Sequence, residues 1–160
     1  LRLGNLKGSR ASVVPALIED ENQQTVSITH PDMTRFSLSL SKSVDHCLQT
    51  LTFMMGGEIF IPKMSAYRLL DLVRVLRPNT EIRSTGPRAA EKMHELALSA
   101  EEARFGFSDQ VFFIVCPVSS SFNHWKKRGV PLNPHFTYSS NEPDLLLSTE
   151  ELGKLINSTK

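Results

Sequence analysis

The sequence predicts an α/β protein, and three observations support that class. Segments that alternate apolar and polar residues, as half-buried strands do, take turns along the chain with segments whose apolar residues recur at helical spacing. The helical segments are too short to be stable without a sheet to pack on. The apolar run at residues 111–116 is continuous, which is typical of a strand buried on both faces. A chain of 160 residues can enclose one such core.

The first predicted elements are a strand, a turn and a helix. Residues 25–29 alternate like a short strand and lead into a His-Pro-Asp turn. Residues 41–51 carry apolar side chains at helical spacing, and either Ser39 or Ser41 can cap the helix. The Gly-Gly pair at residues 56–57 ends it. The apolar positions that define this helix are Val44, Cys47, Leu48 and Leu51.

Strands and helices continue to alternate through the middle of the chain. Residues 58–61 predict a strand that a proline stops, and Ser65 is placed to cap a helix that extends to Leu76. A Pro-Asn turn leads into a strand at residues 81–83. A helix is predicted over residues 91–98. Its inward-facing side chains would be Met93, Leu96 and Ala97.

The last third of the sequence combines one buried strand with a long polar segment. The strand is the apolar run at residues 111–116. Residues 119–141 are polar and punctuated by proline and glycine, which predicts a loop. The sequence Ser-Thr-Glu-Glu at residues 148–151 has the pattern of a capping box and opens a last helix over residues 150–156.

Composition restricts the classes of function. The net charge is +1, so no general field attracts nucleic acid or an anionic membrane, and the basic cluster at residues 126–128 is expected to be solvated. No apolar run approaches the roughly 18 residues of a membrane span, and we expect no signal peptide. Cys47 and Cys116 form no pair motif, so we expect reduced thiols in a cytoplasmic protein. The five histidines are too scattered to predict a metal site.

The chain opens on a segment with the composition of a ligand-binding loop. Residues 4–10 read Gly-Asn-Leu-Lys-Gly-Ser-Arg. Small residues let the backbone approach a ligand closely, and the guanidinium of Arg10 can take a phosphate. A domain rarely opens on its binding loop, so we expect either that the chain starts late or that it is the distal part of a larger fold.

Five sequence motifs, taken in order, resemble one enzyme family. They are the segments at residues 3–15, 28–36, 56–64, 86–95 and 138–140, which begin with Leu-Gly-Asn-Leu-Lys-Gly-Ser-Arg and end with Tyr-Ser-Ser. Together they resemble the C-terminal half of the polysaccharide-biosynthesis branch of extended short-chain dehydrogenases/reductases. That branch includes the UDP-N-acetylglucosamine 4,6-dehydratases. The resemblance spans essentially the whole chain.

The resemblance implies a fold and a division into two regions. The expected fold is the distal part of a Rossmann-like doubly wound sheet plus a small mixed α/β substrate domain. Residues 1–36 would end the nucleotide-binding domain and supply the sugar-binding loop, and residues 37–160 would form the C-terminal substrate-binding region. The family's glycine-rich turn is absent from this sequence. Its Tyr-x-x-x-Lys pair is absent too, because neither Tyr67 nor Tyr138 has a lysine four residues later. No catalytic residue is therefore assigned.

The resemblance also implies ligand contacts for particular residues. The nucleotide-sugar would be held by Asn5, Val13, Thr29, Arg88 and Glu91, and the cofactor would lie along Leu6, Lys7, Gly8, Ser9 and Arg10. Arg88 would hold the diphosphate at the start of the helix beginning near residue 90.

Each of these residues also has a purely structural interpretation. Asn5 can hold a turn, Val13 can belong to the core, and Thr29 can be an ordinary strand residue. Glu91 can complement a helix dipole. Two departures from the family pattern bear on the ligand contacts. Alanine replaces a usual glycine at residue 11, and Ala-Ala replaces the usual Pro-Gly at residues 89–90.

The complete protein is expected to convert a UDP-N-acetyl-hexosamine with tightly held NADP (or NAD), bound mainly by the N-terminal half. Hydride would leave C4, water would be eliminated across C5 and C6, and the hydride would return to C6. The expected partners are a UDP-sugar and further copies of the chain, without nucleic acid or membrane, and this chain alone would be inactive. Two alternatives stay open: a UDP-sugar 4-epimerase of the same family, or a non-catalytic nucleotide-sugar-binding or oligomerisation module.

Overall fold

A computed structural model describes residues 1–5, 24–117 and 119–157, and the fold in these ranges is mixed α/β. The strands described are β1 (Thr25–Ile28), β2 (Thr34–Ser37), β3 (Ile59–Pro62), β4 (Ser65–Arg68), β5 (Glu81–Ser84), β6 (Leu96–Leu98), β7 (Gly106–Ser108), β8 (Phe112–Val115), β9 (Val130–Pro131) and β10 (Tyr138–Ser139). The helices described are α1 (Leu40–Phe53), α2 (Leu69–Leu76), α3 (Ala100–Ala103), α4 (Ser119–Trp125) and α5 (Thr149–Asn157), with a 3-10 turn at Pro143–Leu145.

The strands form one larger antiparallel sheet and three strand pairs. The larger sheet has the order β3-β8-β7-β9, with Phe60 opposite Ile114. Strands β1 and β5 pair in parallel, whereas β2 pairs with β4 and β6 pairs with β10 in antiparallel fashion. The amide of Arg2 donates to the carbonyl of Phe60 at 2.8 Å, so the first residues lie along the edge of β3 that β8 leaves free.

Three apolar clusters hold these elements together. The first joins the pairs β2–β4 and β6–β10 to the larger sheet, and the second packs α2 and α5 on the pair β1–β5. The third covers the larger sheet with the end of α4. Their most deeply buried members include Phe36, Ile61, Ala66 and Leu98 in the first, Met33, Leu72, Val73 and Leu152 in the second, and Phe60, Phe107, Phe112 and Ile114 in the third.

Several predicted elements are confirmed. Strands β1, β3, β5 and β8 and helices α1 and α5 lie where the sequence places them. Ser39 caps α1 by accepting a bond from the Lys42 amide at 3.3 Å. The predicted capping box of α5 is present, since Ser148 Oγ accepts from the Glu151 amide at 3.3 Å and Glu151 accepts from the Ser148 amide at 2.9 Å.

The helix predicted over residues 91–98 is wrong. Residues 89–95 form turns, and Leu96–Leu98 is strand β6, because pairing with Tyr138 of β10 outweighs the local helical pattern. Ala90 has a φ of 65°, a left-handed conformation that no helix contains.

Two other predictions need correction. Ser65 does not cap a helix, because Ser65–Arg68 pairs with β2 as strand β4 and the helix begins only at Leu69. The polar segment at residues 119–141 is not all loop, since it contains α4, β9 and β10. Helix α4 has little apolar periodicity, and it is held through Trp125, which is 4% exposed.

Candidate functional site

The side chain of Arg35, on strand β2, lies at the centre of a polar cluster. Its Nη1 donates to the carbonyls of Thr34 at 2.7 Å and Met93 at 3.2 Å. Its Nε lies 3.4 Å from Glu95 Oε1 and its Nη2 lies 4.0 Å from Glu91 Oε1. The guanidinium is thus shared between two carboxylates, and the pairing β2–β4 holds it in place. We call these contacts the Arg35 network.

One arm of the Arg35 network closes the turn that carries Arg88. Thr29 Oγ1 donates to Glu91 Oε1 at 3.2 Å, and the Arg88 amide donates to Glu91 Oε2 at 3.2 Å. Ala90 at positive φ lets this turn close with the Glu91 amide donating back to the Arg88 carbonyl at 3.0 Å. The Arg88 residue itself is exposed. The turn therefore fixes the backbone of Arg88 and leaves its guanidinium facing solvent.

The other arm reaches a cavity at the start of the chain. The cavity has a volume of about 250 Å³, and Asn5, Phe36 and Glu95 are among its lining residues. Gly4 is required here, because an added Cβ would lie 2.6 Å from Phe36 Cβ. The cavity is thus lined by the amide residue Asn5 and the carboxylate residue Glu95, and the close packing of its wall against Phe36 requires glycine at residue 4. We call it the Asn5 cavity.

Buried hydroxyl groups form hydrogen bonds with residues of the Arg35 network and their neighbours. Thr34 Oγ1 lies 2.8 Å from His94 Nδ1 and 2.7 Å from Ser140 Oγ. Ser140 Oγ accepts from the Glu95 amide at 2.9 Å. Thr34 is 2% exposed and Ser140 is 0% exposed, so these hydrogen bonds are shielded from water. Sequence reasoning did not find this cluster, because Thr34, His94 and Ser140 lie in three separate motifs and no local pattern shows that they meet.

A second ion pair ties the start of the chain to α3. Arg2 makes a two-pronged contact with Glu102, with N–O distances of 2.8 and 2.7 Å, and its Nη1 also donates to the Ala97 carbonyl at 2.8 Å. The hydrogen bond from Arg2 lowers the pKa of Glu102, although desolvation opposes it. Arg2 and Ala97 also line the Asn5 cavity, so the ion pair between Arg2 and Glu102 stabilises one wall of this cavity.

The structure brings together most of the described residues that sequence analysis proposed for the substrate. Thr29, Glu91 and the backbone of Arg88 are in contact, and Asn5 shares a cavity with Glu95. Their roles toward a ligand stay predictions. The expected position of Arg88 at a helix N-terminus is wrong, because turns and not a helix follow it. Val13 and the proposed cofactor residues 6–10 lie outside the described residues.

The two tyrosines have structural roles. Tyr138 is buried, and its hydroxyl accepts from the Met64 amide at 2.5 Å and lies 2.8 Å from the Met64 carbonyl, to which it donates. Burial raises the pKa of Tyr138 and of Tyr67, so both hydroxyls stay protonated at neutral pH. In residues 1–5, 24–117 and 119–157, no three His, Cys, Asp or Glu side chains lie close enough to hold a metal ion. No helix in these ranges is long and apolar enough to cross a bilayer.

Comparison with known proteins gives the family context of this site. Residues 1–116 match a family model described as polysaccharide biosynthesis protein. The chain is 34% identical to a UDP-N-acetylglucosamine 4,6-dehydratase (inverting) of Campylobacter jejuni, over 99% of this chain and 51% of the relative. It is 39% identical to a UDP-glucose 4-epimerase of Rickettsia conorii, over 63% of this chain and 31% of the relative.

A solved structure is similar over nearly the whole chain. It is the X-ray structure of Pen from Bacillus thuringiensis, with a TM-score of 0.84 and 28% sequence identity. The match covers 98% of this chain and 48% of Pen. The chain spans about half the length of the curated dehydratases it matches.

Proposed function

The chain belongs to the polysaccharide biosynthesis protein family, whose matched relatives include enzymes that modify nucleotide sugars, and from that premise we propose that it forms the substrate-binding half of a UDP-N-acetylglucosamine 4,6-dehydratase. The proposal extends to the reaction of the complete protein, which would use NADP (or NAD) and act as a lyase. Two relatives that match nearly the whole chain carry the dehydratase name.

The observation that carries the proposal is the convergence of Thr29, Glu91 and Arg88 on the Arg35 network. The positive charge of Arg35 is balanced by the carboxylates of Glu91 and Glu95, so this arginine has a structural role within the fold. Arg88 is exposed at the end of the same network, and a planar guanidinium suits a diphosphate. We therefore assign Arg88 to the diphosphate and Glu91 to a ribose hydroxyl.

The Asn5 cavity would receive the sugar. Its volume of about 250 Å³ and its amide and carboxylate groups suit a hydroxylated ring. Asn5 would donate to and accept from the sugar, and Glu95 would accept from a hydroxyl. Arg35 acts as a positioning residue for Glu95 through their 3.4 Å contact. Val13 is proposed as the apolar wall of this cavity.

In this proposal the described residues bind and orient the substrate, and the dinucleotide is held mainly by the half of the relatives that this chain does not span. The sequence has no Tyr-x-x-x-Lys pair, and the loop at residues 6–10 proposed to contact the nicotinamide lies outside the described ranges. When bound in the complete protein, NADP would supply the hydride chemistry.

We also propose the organisation and location of the complete protein. Residues 1–36 would end the nucleotide-binding domain, and residues 37–160 would form the substrate-binding region. The thiols of Cys47 and Cys116 are unpaired, as in proteins of a reducing compartment, so we place the protein in the cytoplasm. We also propose that the complete protein is a homo-oligomer, as its resemblance to the family implies.

A product analysis tests the proposed function. The chain is combined with the polypeptide corresponding to the other half of the relatives, NADP and UDP-N-acetylglucosamine, and the sugar nucleotides are followed by mass spectrometry. A dehydratase yields a product that has lost one water, carries a keto group at C4 and is deoxygenated at C6. Unchanged substrate, with UDP-N-acetylglucosamine bound in calorimetry, would instead support a non-catalytic binding module.

The epimerase candidate has its own support, since the Rickettsia relatives are UDP-glucose 4-epimerases. An epimerase would return the hydride to C4, and its product would have the same mass as the substrate. Chromatographic separation of the C4 epimers distinguishes this outcome. A product of unchanged mass and inverted C4 would overturn the dehydratase proposal and leave the family assignment intact.

A further inference from the structure

The side chain of Arg2 connects two walls of the Asn5 cavity. One wall is the start of the chain, where the Arg2 amide donates to the Phe60 carbonyl of β3 at 2.8 Å. The other wall leads into β6, whose Ala97 carbonyl accepts from Arg2 Nη1 at 2.8 Å. Asn5 follows on the first wall and Glu95 precedes Ala97 on the second, and both line the cavity. Arg2 therefore fixes the spacing between the amide on one wall and the carboxylate on the other.

Glu102 holds the Arg2 guanidinium in this position. Its Oε2 accepts from Nη1 at 2.8 Å and its Oε1 from Nη2 at 2.7 Å. The carboxylate is itself fixed by the capping box of α3, because the Ser99 amide donates to Oε2 at 3.1 Å and the Glu102 amide donates to Ser99 Oγ at 3.4 Å. A planar guanidinium held at two points keeps one orientation. We call the contacts of Arg2 with Ala97 and Glu102 the Arg2 clamp.

The Arg2 clamp also balances the charge of the cavity. Among the described residues that line it, the charged ones are Arg2 and Glu95. The positive charge of Arg2 is balanced by Glu102, and the negative charge of Glu95 lies 3.4 Å from the Arg35 guanidinium. An uncharged sugar needs only hydrogen-bonding groups, whereas a carboxylated sugar would bring in a charge without an unpaired cation to receive it. The arrangement therefore suits an uncharged sugar.

We propose that Glu102 is a positioning residue that makes the Asn5 cavity selective for an uncharged sugar. This rests on the proposed function, in which the Asn5 cavity receives the sugar of a UDP-sugar. Glu102 lies outside the set of described residues that line the cavity, so it acts through Arg2. Loss of its carboxylate loosens the spacing of the two walls and leaves the Arg2 charge unbalanced beside the sugar. The proposed contact of Arg88 with the diphosphate stays intact.

Glu102→Gln tests the proposal, because it keeps the size of the side chain and removes its charge. The complete protein, assembled as in the product analysis, is titrated in calorimetry with UDP, with UDP-N-acetylglucosamine and with UDP-glucuronic acid, whose sugar carries a carboxylate. The affinity for UDP should stay unchanged. The ratio of the affinities for UDP-N-acetylglucosamine and UDP-glucuronic acid should fall about tenfold, since the unbalanced Arg2 can now pair with the carboxylate. A merely structural role would lower all three affinities together.

Two further variants separate the position of the effect from its cause. Glu150→Gln makes the same chemical change in an ion pair of α5, where Lys154 Nζ lies 2.6 Å from Glu150 Oε1 and neither residue is among those lining the cavity. It should leave all three affinities unchanged. Glu102→Asp keeps the charge but shortens the reach, so it should keep the selectivity against the carboxylated sugar and recover only part of the affinity for UDP-N-acetylglucosamine. Circular dichroism verifies that each variant is folded.

Several results would overturn the proposal. An unchanged affinity ratio in Glu102→Gln, or an equal change in Glu150→Gln, would show that Glu102 does not select the sugar. A loss of UDP affinity as large as the loss of sugar affinity would reduce Glu102 to a residue of the fold. A parent protein that does not bind UDP-N-acetylglucosamine would contradict the proposed function itself. A parent that binds it, with an unchanged ratio in Glu102→Gln, would remove Glu102 and leave the proposed function intact.

Discussion

Ala90 has a backbone conformation that an alanine rarely adopts. Its φ is 65°, and it is the only non-glycine residue with positive φ in residues 1–5, 24–117 and 119–157. The left-handed conformation costs a residue with a Cβ about 1–2 kcal/mol. It persists here because Glu91 binds the Arg88 amide and Thr29 across the turn.

Ala90→Gly should stabilise the protein. Glycine adopts positive φ without a steric cost, so the free energy of unfolding should rise by about 1 kcal/mol. Urea denaturation followed by circular dichroism measures the change. Ala89→Gly is the matched control, because Ala89 lacks the positive φ and should gain nothing. Equal effects of the two substitutions would contradict the strain assigned to Ala90.

Arg88→Ala should weaken the binding of UDP by the complete protein about tenfold. The substitution removes a hydrogen bond to a charged group, worth about 1.5 kcal/mol. This is the lower end of the range for such bonds, because no helix N-terminus assists Arg88. Arg88→Lys should recover part of the affinity, since lysine keeps the charge and loses the two-pronged geometry. Titration calorimetry measures both variants.

The control for Arg88 is a cation of the exposed basic cluster. Lys127→Ala should leave the affinity for UDP unchanged, because that lysine is exposed in a segment far along the chain from the Arg35 network. Unchanged binding by Arg88→Ala, or a larger loss in Lys127→Ala, would remove Arg88 from the proposed site.

At the scale of elements, single buried hydroxyls join strands that are distant in sequence. Thr34 on β2 contacts His94 before β6 and Ser140 after β10. Thr34→Val keeps the shape and removes both hydrogen bonds, so it should lower the free energy of unfolding by about 1–3 kcal/mol. Thr52→Val at an exposed site of α1 is the control and should cost much less. Similar losses in chemical denaturation would show that the Thr34 bonds contribute little.

The ion pair between the chain start and α3 gives a pH-dependent stability. Arg2 lowers the pKa of Glu102 in the folded protein, so folding favours the ionised carboxylate. The contribution, about 1 kcal/mol or less for a half-exposed pair, is therefore fully present above the unfolded pKa near 4.5. It is lost as the pH falls through the lower, folded value.

Glu102→Gln tests this assignment. The stability difference between the parent and Glu102→Gln should be largest near neutral pH and shrink below about pH 4.5. In an Arg2→Met background the same substitution should show a smaller difference with little dependence on pH. Denaturation curves at several pH values measure this. A difference that grows on acidification would have the wrong sign for the pair.

At these scales, sequence reasoning succeeded where a local pattern and the tertiary structure agree. Helix α5 was predictable because its capping box lies in one short segment, and β8 because its apolar run suits a central strand. The helix over residues 91–98 was wrong because the pairing of β6 with β10 is non-local. The Arg35 network was not predicted, because the motif at residues 86–95 contains Glu91 and Glu95 but does not reveal that both contact Arg35 of β2.

At the scale of the whole molecule, the structure shows which apolar segments are covered by neighbours and which are exposed. The apolar run at residues 111–116 forms strand β8, as the sequence predicts. Strand β8 pairs with β3 on one side and β7 on the other, within this chain. Among the described residues, an exposed apolar surface lies instead on α1, at Leu40, Val44, Leu48 and Leu51. The helix was predicted, but no local pattern reveals that these side chains face outward.

The last prediction concerns the catalytic competence of this chain by itself. Its described residues are proposed to position a nucleotide sugar, but the sequence has no Tyr-x-x-x-Lys pair and no glycine-rich dinucleotide turn. Positioning without the cofactor supplies no hydride acceptor. The purified chain, incubated with UDP-N-acetylglucosamine and NADP, should therefore release no keto-deoxy sugar nucleotide that mass spectrometry detects.

The matched reaction contains the same chain at the same concentration together with the polypeptide corresponding to the other half of the relatives, and it should give the product. Turnover by the chain alone at an enzyme-like rate would show that the acid, base and cofactor groups lie within these 160 residues after all.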